Sequence, residues 1–159
     1  MSESLRAAAE TDLLLLLRLL AAALCTGALG WERERAGKSA GLRTHMLVGI
    51  GAALFVALTE TVIADVRLEG PGVAVRPDPL RAVDAVATGI GFLGGGLIFV
   101  SDKSERVRGL TTAASVWTAS AIGVACGLGR WTLAAGATLL CLFVLHALAR
   151  FERSEPLGR

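Results

Sequence analysis

The chain has 159 residues, 53% of them hydrophobic, and a mean hydropathy of +0.61. That composition suits one compact bundle and leaves no room for a second soluble domain. A net charge of +2, evenly scattered and nowhere interleaved with aromatic residues, excludes a nucleic-acid surface.

Five apolar runs predict an all-α membrane protein, a bundle of about five transmembrane helices forming a single domain over residues 1–159. They are Leu13–Gly30, His45–Ala64, Val83–Val100, Leu110–Gly129 and Trp131–Ala149, each 18 to 20 residues long. As helices rising ~1.5 Å per residue, such runs cross a hydrocarbon layer of ~30 Å. The first run has the apolarity of a signal peptide, but Glu3, Glu10 and Asp12 precede it and Arg18 interrupts it, so a membrane span is expected. Ala22-Ala23-Leu24-Cys25 makes a poor lipoprotein cleavage site, because Leu24 is bulky. Cys25, Cys126 and Cys141 all fall inside spans and read as small packing residues, not as a disulfide or metal framework.

Between the first two runs, Trp31–Thr44 holds the densest charge cluster: Glu32-Arg33-Glu34-Arg35, then Lys38 and Arg43. It reads as a solvated loop that enforces topology. Its alternating signs also suit a surface aimed at a protein or at lipid head groups, and its carboxylates suit hydrated Mg²⁺. The second run places Gly49, Ala53, Ala57 and Thr61 four residues apart, a row of small side chains. Asp65–Ala82, with Pro71, Pro77 and Pro79, is an external excursion, and Asp78-Pro79 is expected to start the third helix.

The third run contains Gly89, Gly91, Gly94, Gly95 and Gly96, each costing about 1 kcal/mol relative to alanine in an ordinary helix. A helix smooth on two sides admits close neighbours on both, which places it at the centre of the bundle. The competing reading is a broken helix whose carbonyls coordinate a cation at mid-membrane. Gly89–Gly94 also matches GxGxxG, but a membrane-length apolar run surrounds it and no acid follows about 20 residues on, so a nucleotide site is rejected. Ser101–Gly109 is a short loop. The fourth run then repeats small residues at Ser115, Ala119, Gly123 and Gly127, the expected wall for the glycine helix, together with the row on the second run. Gly127-Leu128-Gly129-Arg130 is a tight turn into the fifth run.

Lys and Arg outside the spans number ten on the side of Trp31–Thr44 and five on the other, Arg18 left out, which puts the N-terminus outside and the C-terminus inside. A shift of 68 residues aligns Gly41-Leu42-Arg43-Thr44 with Gly109-Leu110-Thr111-Thr112 and matches seven of 17 positions, and Thr44 and Thr112 are then candidate caps for two helix starts. Chance matching and a parallel duplication both remain open. Arg18, Glu60 and Asp84 are charges in or at the ends of spans, where an unpaired charge costs at least ~2.5–3.5 kcal/mol near the centre. They read either as interfacial anchors or as an Arg18–Asp84 or Arg18–Glu60 pair. Ser115, His45 and His146 assemble on paper into a nucleophile and base, but no elbow or oxyanion donor accompanies them, and polar interface positions explain both histidines. No enzyme is expected.

Glu32-Arg33-Glu34, Ala40–Val48, Gly89–Gly96 and Val107–Trp117, in that order, resemble the MgtC/SapB family of bacterial inner-membrane proteins over roughly Gly27–Gly129. The resemblance implies a multi-pass inner-membrane protein linked in some members to magnesium limitation and survival in host cells, some members acting by binding other membrane proteins. Trp31 departs from the smaller aliphatic residue expected there, and the chain is expected to be a short form without the C-terminal cytoplasmic domain of longer members. The leading expectation is a regulator with no resident cofactor, Mg²⁺ staying open, surrounded by membrane lipid. It would dock to membrane-protein partners, a second copy included, through Glu32, Arg33, Glu34, Arg43, Thr44, Arg108, Thr111 and Thr112. Gly89, Gly91, Gly94, Gly95, Gly96, Ser115, Ala119 and Gly123 would pack helices. The alternative is a channel or transporter for Mg²⁺ or another cation that uses the third span and Asp84.

Overall fold

A computed structural model describes residues 3–68, 78, 80–101 and 106–148. The fold is all-α, as the apolar runs require: α1 (Glu3–Arg35), α2 (Leu42–Leu68), α3 (Leu80–Gly96), α4 (Leu110–Gly127) and α5 (Trp131–Phe143), which continues as a π-helical turn over Val144–Leu148. Between α3 and α4 lies one small antiparallel ribbon, β1 (Phe99–Ser101) with β2 (Arg106–Arg108), in the register Phe99 to Arg108, Val100 to Val107 and Ser101 to Arg106. Glu10–Arg35, Leu42–Ala64 and Leu110–Gly127 are long and apolar enough to cross a membrane, and Trp131–Ala147 is a shorter apolar helix.

Helix ends follow local chemistry. α1 runs past the expected boundary at Gly30 as far as Arg35, so Glu32-Arg33-Glu34-Arg35 is helical and not loop. It stops at Gly37, whose φ of 66° is open to glycine, with Gly37 N–H bonded to Glu34 O and Lys38 N–H to Arg33 O. α4 ends the same way at Gly129 (φ 68°), with Gly129 N–H on Cys126 O and Arg130 N–H on Ala125 O, which makes the tight turn expected there. Asp78 starts α3, its Oδ1 accepting the Leu80 N–H at 2.9 Å.

The third run starts its helix where Asp78 is expected to start it, and needs correction at its C-terminal end. Its helix is Leu80–Gly96, 17 residues long, and not Val83–Val100. Three consecutive glycines give the backbone little reason to stay helical. The β-branched and aromatic residues that follow pair instead with Arg106–Arg108, so the expected loop Ser101–Gly109 is partly ribbon.

α4 is the central helix. Of its span 61% is buried, against 33% for α1 and 28% for α2, and it touches α1, α2, α3 and α5. The core joins Ala22 and Leu29 of α1, Ala53 of α2, Ile122 and Cys126 of α4 and Ala134 of α5. Buried hydroxyls turn back onto their own helices: Thr26 donates to Ala22 O and Thr138 to Ala134 O. No buried side-chain polar atom among the described residues lacks a partner, as an apolar surrounding demands.

α2 and α4 run parallel and close on each other through the two small-residue rows. A Cβ on Gly123 would strike the backbone of Gly49, and one on Gly127 would come within 2.7 Å of Ala53 O. α1 approaches α2 as closely. A Cβ on Gly30 would lie 2.7 Å from Leu42 Cα, and one on Gly49 would overlap the Thr26 side chain. The rows expected to clasp the glycine helix therefore clasp each other. α3, expected at the centre, is an edge helix: its described buried residues are Val86 and Gly94, and Gly89, Gly91, Gly95 and Gly96 are exposed. Among the described residues only Ala113 comes near a glycine of α3, at 3.8 Å from a Cβ built on Gly94.

Candidate functional site

The charged side chains with described partners gather at the two ends of the bundle. At the end carrying Trp31–Thr44, α1 stops, α2 and α4 begin, and the β1–β2 ribbon returns. Arg33 is 3% exposed and its Nε donates to the carboxylate of the half-buried Glu32. Glu34 is exposed and its Oε2 accepts the Leu42 N–H at 2.8 Å. It thereby caps α2 from the preceding helix and places a negative charge at the positive end of α2's dipole. Thr44 does not provide that cap. Neither does Thr112 for α4, whose N-cap is Gly109 (φ 89°) with no side-chain cap bond. Both helices start instead on the residue after a glycine. At Gly109 a Cβ would strike the Leu97 carbonyl, so the glycine lets the ribbon turn directly into α4.

His45 is not an interface residue. It is fully buried, with Nδ1 2.9 Å from Gly41 O and Nε2 3.1 Å from Ser115 Oγ. Ser115 is itself 5% exposed and its hydroxyl reaches Thr112 O at 2.8 Å. The histidine and serine considered as a nucleophile and base are thus in contact, whereas His146 is exposed on the π-helical turn, away from them in the chain. The contact is sealed between helices. A backbone carbonyl, and not a carboxylate, orients the ring, and the arrangement joins α2 to α4.

Arg43, Arg108 and Thr111 are exposed, Glu32 and Thr44 half-buried, and Thr112 buried. Of the eight residues expected to face a partner, those that present charge outward are Glu34, Arg43 and Arg108. Trp31 is also exposed, with the Arg35 guanidinium 5.2 Å from its ring centre. An amphipathic indole under a stacked cation suits the boundary between lipid and water, which accounts for a large residue in that place.

At the opposite end Arg18 joins three elements. One guanidinium nitrogen donates to the Glu60 carboxylate and to Gly127 O, the latter at 2.7 Å. Gly127 O is a carbonyl of α4's last turn, where helical partners run out and a cation complements the dipole. Arg18 lies ~25 Å along α1 from Arg35, and Glu60 ~27 Å along α2 from Leu42, which sets the pair near the far edge of a hydrocarbon layer. The charge that spacing left between two partners belongs to Glu60. Asp84 is exposed on α3. No group of His, Cys, Asp and Glu among the described residues is arranged to hold a metal ion.

On α3, Phe92 is 89% exposed. Beside it lies an open recess of about 530 Å³ lined by Phe92, Leu93, Gly95, Gly96 and Leu97.

The family model described as "MgtC family" matches residues 19–154. The chain belongs to the MgtC family. This MgtC-family chain is 43% identical over 132 residues to "Putative magnesium transporter YhiD" of Escherichia coli strain K12, an alignment covering 82% of the chain and 59% of that protein. It is 39% identical over 143 residues to Protein SrpB of Synechococcus elongatus, covering 86% and 75%, and 41% identical over 132 residues to Protein MgtC of Brucella abortus, covering 83% and 50%. The chain thus spans 59% of YhiD and 50% of the Brucella protein. No solved structure matches it. Family and apolar helices together make it a membrane protein.

Proposed function

We propose that this MgtC-family chain is a multi-pass protein of the bacterial inner membrane, N-terminus outside and C-terminus inside. In this reading it crosses the bilayer about five times and serves magnesium homeostasis as a regulator that docks to other membrane proteins. The link to magnesium is supported by the name of the relative YhiD. Docking, and not chemistry, is supported by one observation above all: the interior of α1, α2 and α4 is closed by direct backbone approach, while α3 leaves its glycines and Phe92 uncovered. The exposed Arg43 and Arg108 add cationic anchors at the proposed cytoplasmic rim. Replacing both with alanine is expected to abolish co-purification with membrane partners while the protein still inserts. Unchanged capture would refute the reading.

A second reading, a cation route, is favoured by the position of Asp84 on the same exposed helix as the glycines. It predicts Asp84-dependent Mg²⁺ entry into liposomes containing the purified protein. Absence of flux under a gradient would remove it, since a dedicated route needs more oxygen ligands than one carboxylate supplies.

A further inference from the structure

His45 has two ring nitrogens and a different kind of partner on each. The Gly41 carbonyl can only accept, so Nδ1 must carry a hydrogen whether the ring is neutral or charged. That fixes the neutral tautomer: Nδ1 protonated, Nε2 a bare lone pair facing Ser115 Oγ at 3.1 Å. The serine hydroxyl has one hydrogen and two acceptors in reach, the ring's Nε2 and Thr112 O at 2.8 Å. With a neutral ring, the hydroxyl has to turn to Nε2, which has no other donor, and it releases the Thr112 carbonyl. With a charged ring, Nε2–H donates to Ser115 Oγ and the hydroxyl has to turn to Thr112 O.

We infer that His45 and Ser115 form a proton-operated latch between α2 and α4: uptake of one proton by His45 reverses the hydrogen bond joining the two helices and hands the serine hydroxyl to α4's own first turns. The proton comes from water at the end of the bundle carrying Trp31–Thr44. No heavy-atom bond changes.

The described charges around the ring do not favour one state through a single partner. From α1, Glu32 and Arg33 lie within electrostatic reach, but they are bonded to each other and oppose one another. Glu34 of α1 is engaged at the Leu42 N–H. On α2 itself the nearby charge is Arg43, which is exposed, and the loop before it carries Lys38, also exposed. Among the described residues α4 brings the neutral Ser115 and the Thr112 carbonyl to this face, and Arg108 just before it is exposed. Among the described residues no single fixed counter-ion holds the imidazole in one state.

The latch does not depend on the docking reading, although it would place a proton-sensitive element between Arg43 and Arg108. The chain has two histidines, so His146→Gln leaves His45 as the only imidazole. The experiment is nitrogen NMR of this full-length variant, with ¹⁵N-labelled histidine, in lipid bilayers from about pH 5 to about pH 9, the range around histidine's charge change. Expected at the alkaline end is hydrogen on Nδ1 and a bare, hydrogen-bonded Nε2. Expected on acidification is conversion to a ring protonated at both nitrogens. In a Ser115→Ala background the alkaline Nε2 resonance should move to that of an unbonded nitrogen while Nδ1 keeps its hydrogen. A neutral ring protonated on Nε2 would overturn the inference, as would one unchanging charge state across the range, or an Nε2 resonance indifferent to Ser115→Ala. The first two readings come from the His146→Gln protein alone, so they stand even if the serine variant does not fold.

Discussion

Gly49, Gly123 and Gly127 on α2 and α4 meet a neighbouring helix so closely that none has room for a methyl group. Gly89, Gly91, Gly95 and Gly96 on α3 are exposed. Four-residue spacing of small side chains describes both regions, and the difference lies in what faces them. Dispersion attraction across a small-residue row needs an opposing surface at van der Waals distance. α2 and α4 supply that surface to each other, while among the described glycines of α3 only Gly94 has a neighbour, Ala113 of α4, within van der Waals reach of an added methyl. The first region holds the bundle together, and the second is where the bundle remains open.

This contrast should break most visibly at the fastened end. Gly49→Leu or Gly127→Leu would drive a side chain into Thr26 or into the α2 backbone at Ala53, and each is expected to lose about 3 kcal/mol or prevent folding. Denaturation followed by circular dichroism in mixed micelles measures the loss. Next in size is Arg18→Ala, which strands Glu60 and removes the donor to Gly127 O. The pair is partly exposed, at 25% and 40% of its side chains, so the expected loss is about 2 kcal/mol and not the larger figure of a fully buried pair. A double-mutant cycle with Glu60→Gln should return a coupling clearly different from zero, and additivity would show that the two side chains act separately.

Smaller again is Glu34→Ala, which removes the cap on the Leu42 N–H and is expected to cost about 1 kcal/mol. Hydrogen exchange at the start of α2 should rise with it, while exchange at the start of α4, which has no side-chain cap, stays as it was. The smallest effects belong to α3. Alanine at Gly89, Gly91 or Gly95 meets no described neighbour and removes backbone freedom from the unfolded chain, so each is expected to be neutral or to stabilise by up to about 1 kcal/mol.

Much of this architecture is legible in the residues. The small-residue rows at Gly49, Ala53, Ala57 and at Ser115, Ala119, Gly123, Gly127 announce close approach, and Gly129 ends a helix as an αL glycine does. A row of small side chains, however, says that something comes near without saying what, and this is why α3 was expected between α2 and α4. The number of glycines on α3 reads as packing because a helix interior usually has to justify them. Here they instead weaken the helix and let it stop at Gly96, before Phe99–Ser101 turns into a strand.

The polar cluster divides in the same way. Arg18 and Glu60 lie at similar heights on adjacent helices, so the pair is readable once topology is assumed. His45 is not, because its burial depends on Gly30 letting α1 come against the start of α2 and on Ser115 facing it 70 residues along the chain. Periodicity within one helix carries no record of either. Arg33 misleads for a related reason: it lies in an alternating charge run that looks solvated, yet the extension of α1 to Arg35 carries it into the interior.

The claim that α2 and α4 fasten the bundle while α3 stays at its edge is tested most directly by one paired measurement, the unfolding free energy of Gly123→Ala against that of Gly91→Ala in the same detergent. The added methyl at residue 123 has to displace the Gly49 backbone, so that variant should be destabilised, whereas Gly91→Ala should match or exceed the parent. A tolerated methyl at 123 together with a damaging one at 91 would contradict the account.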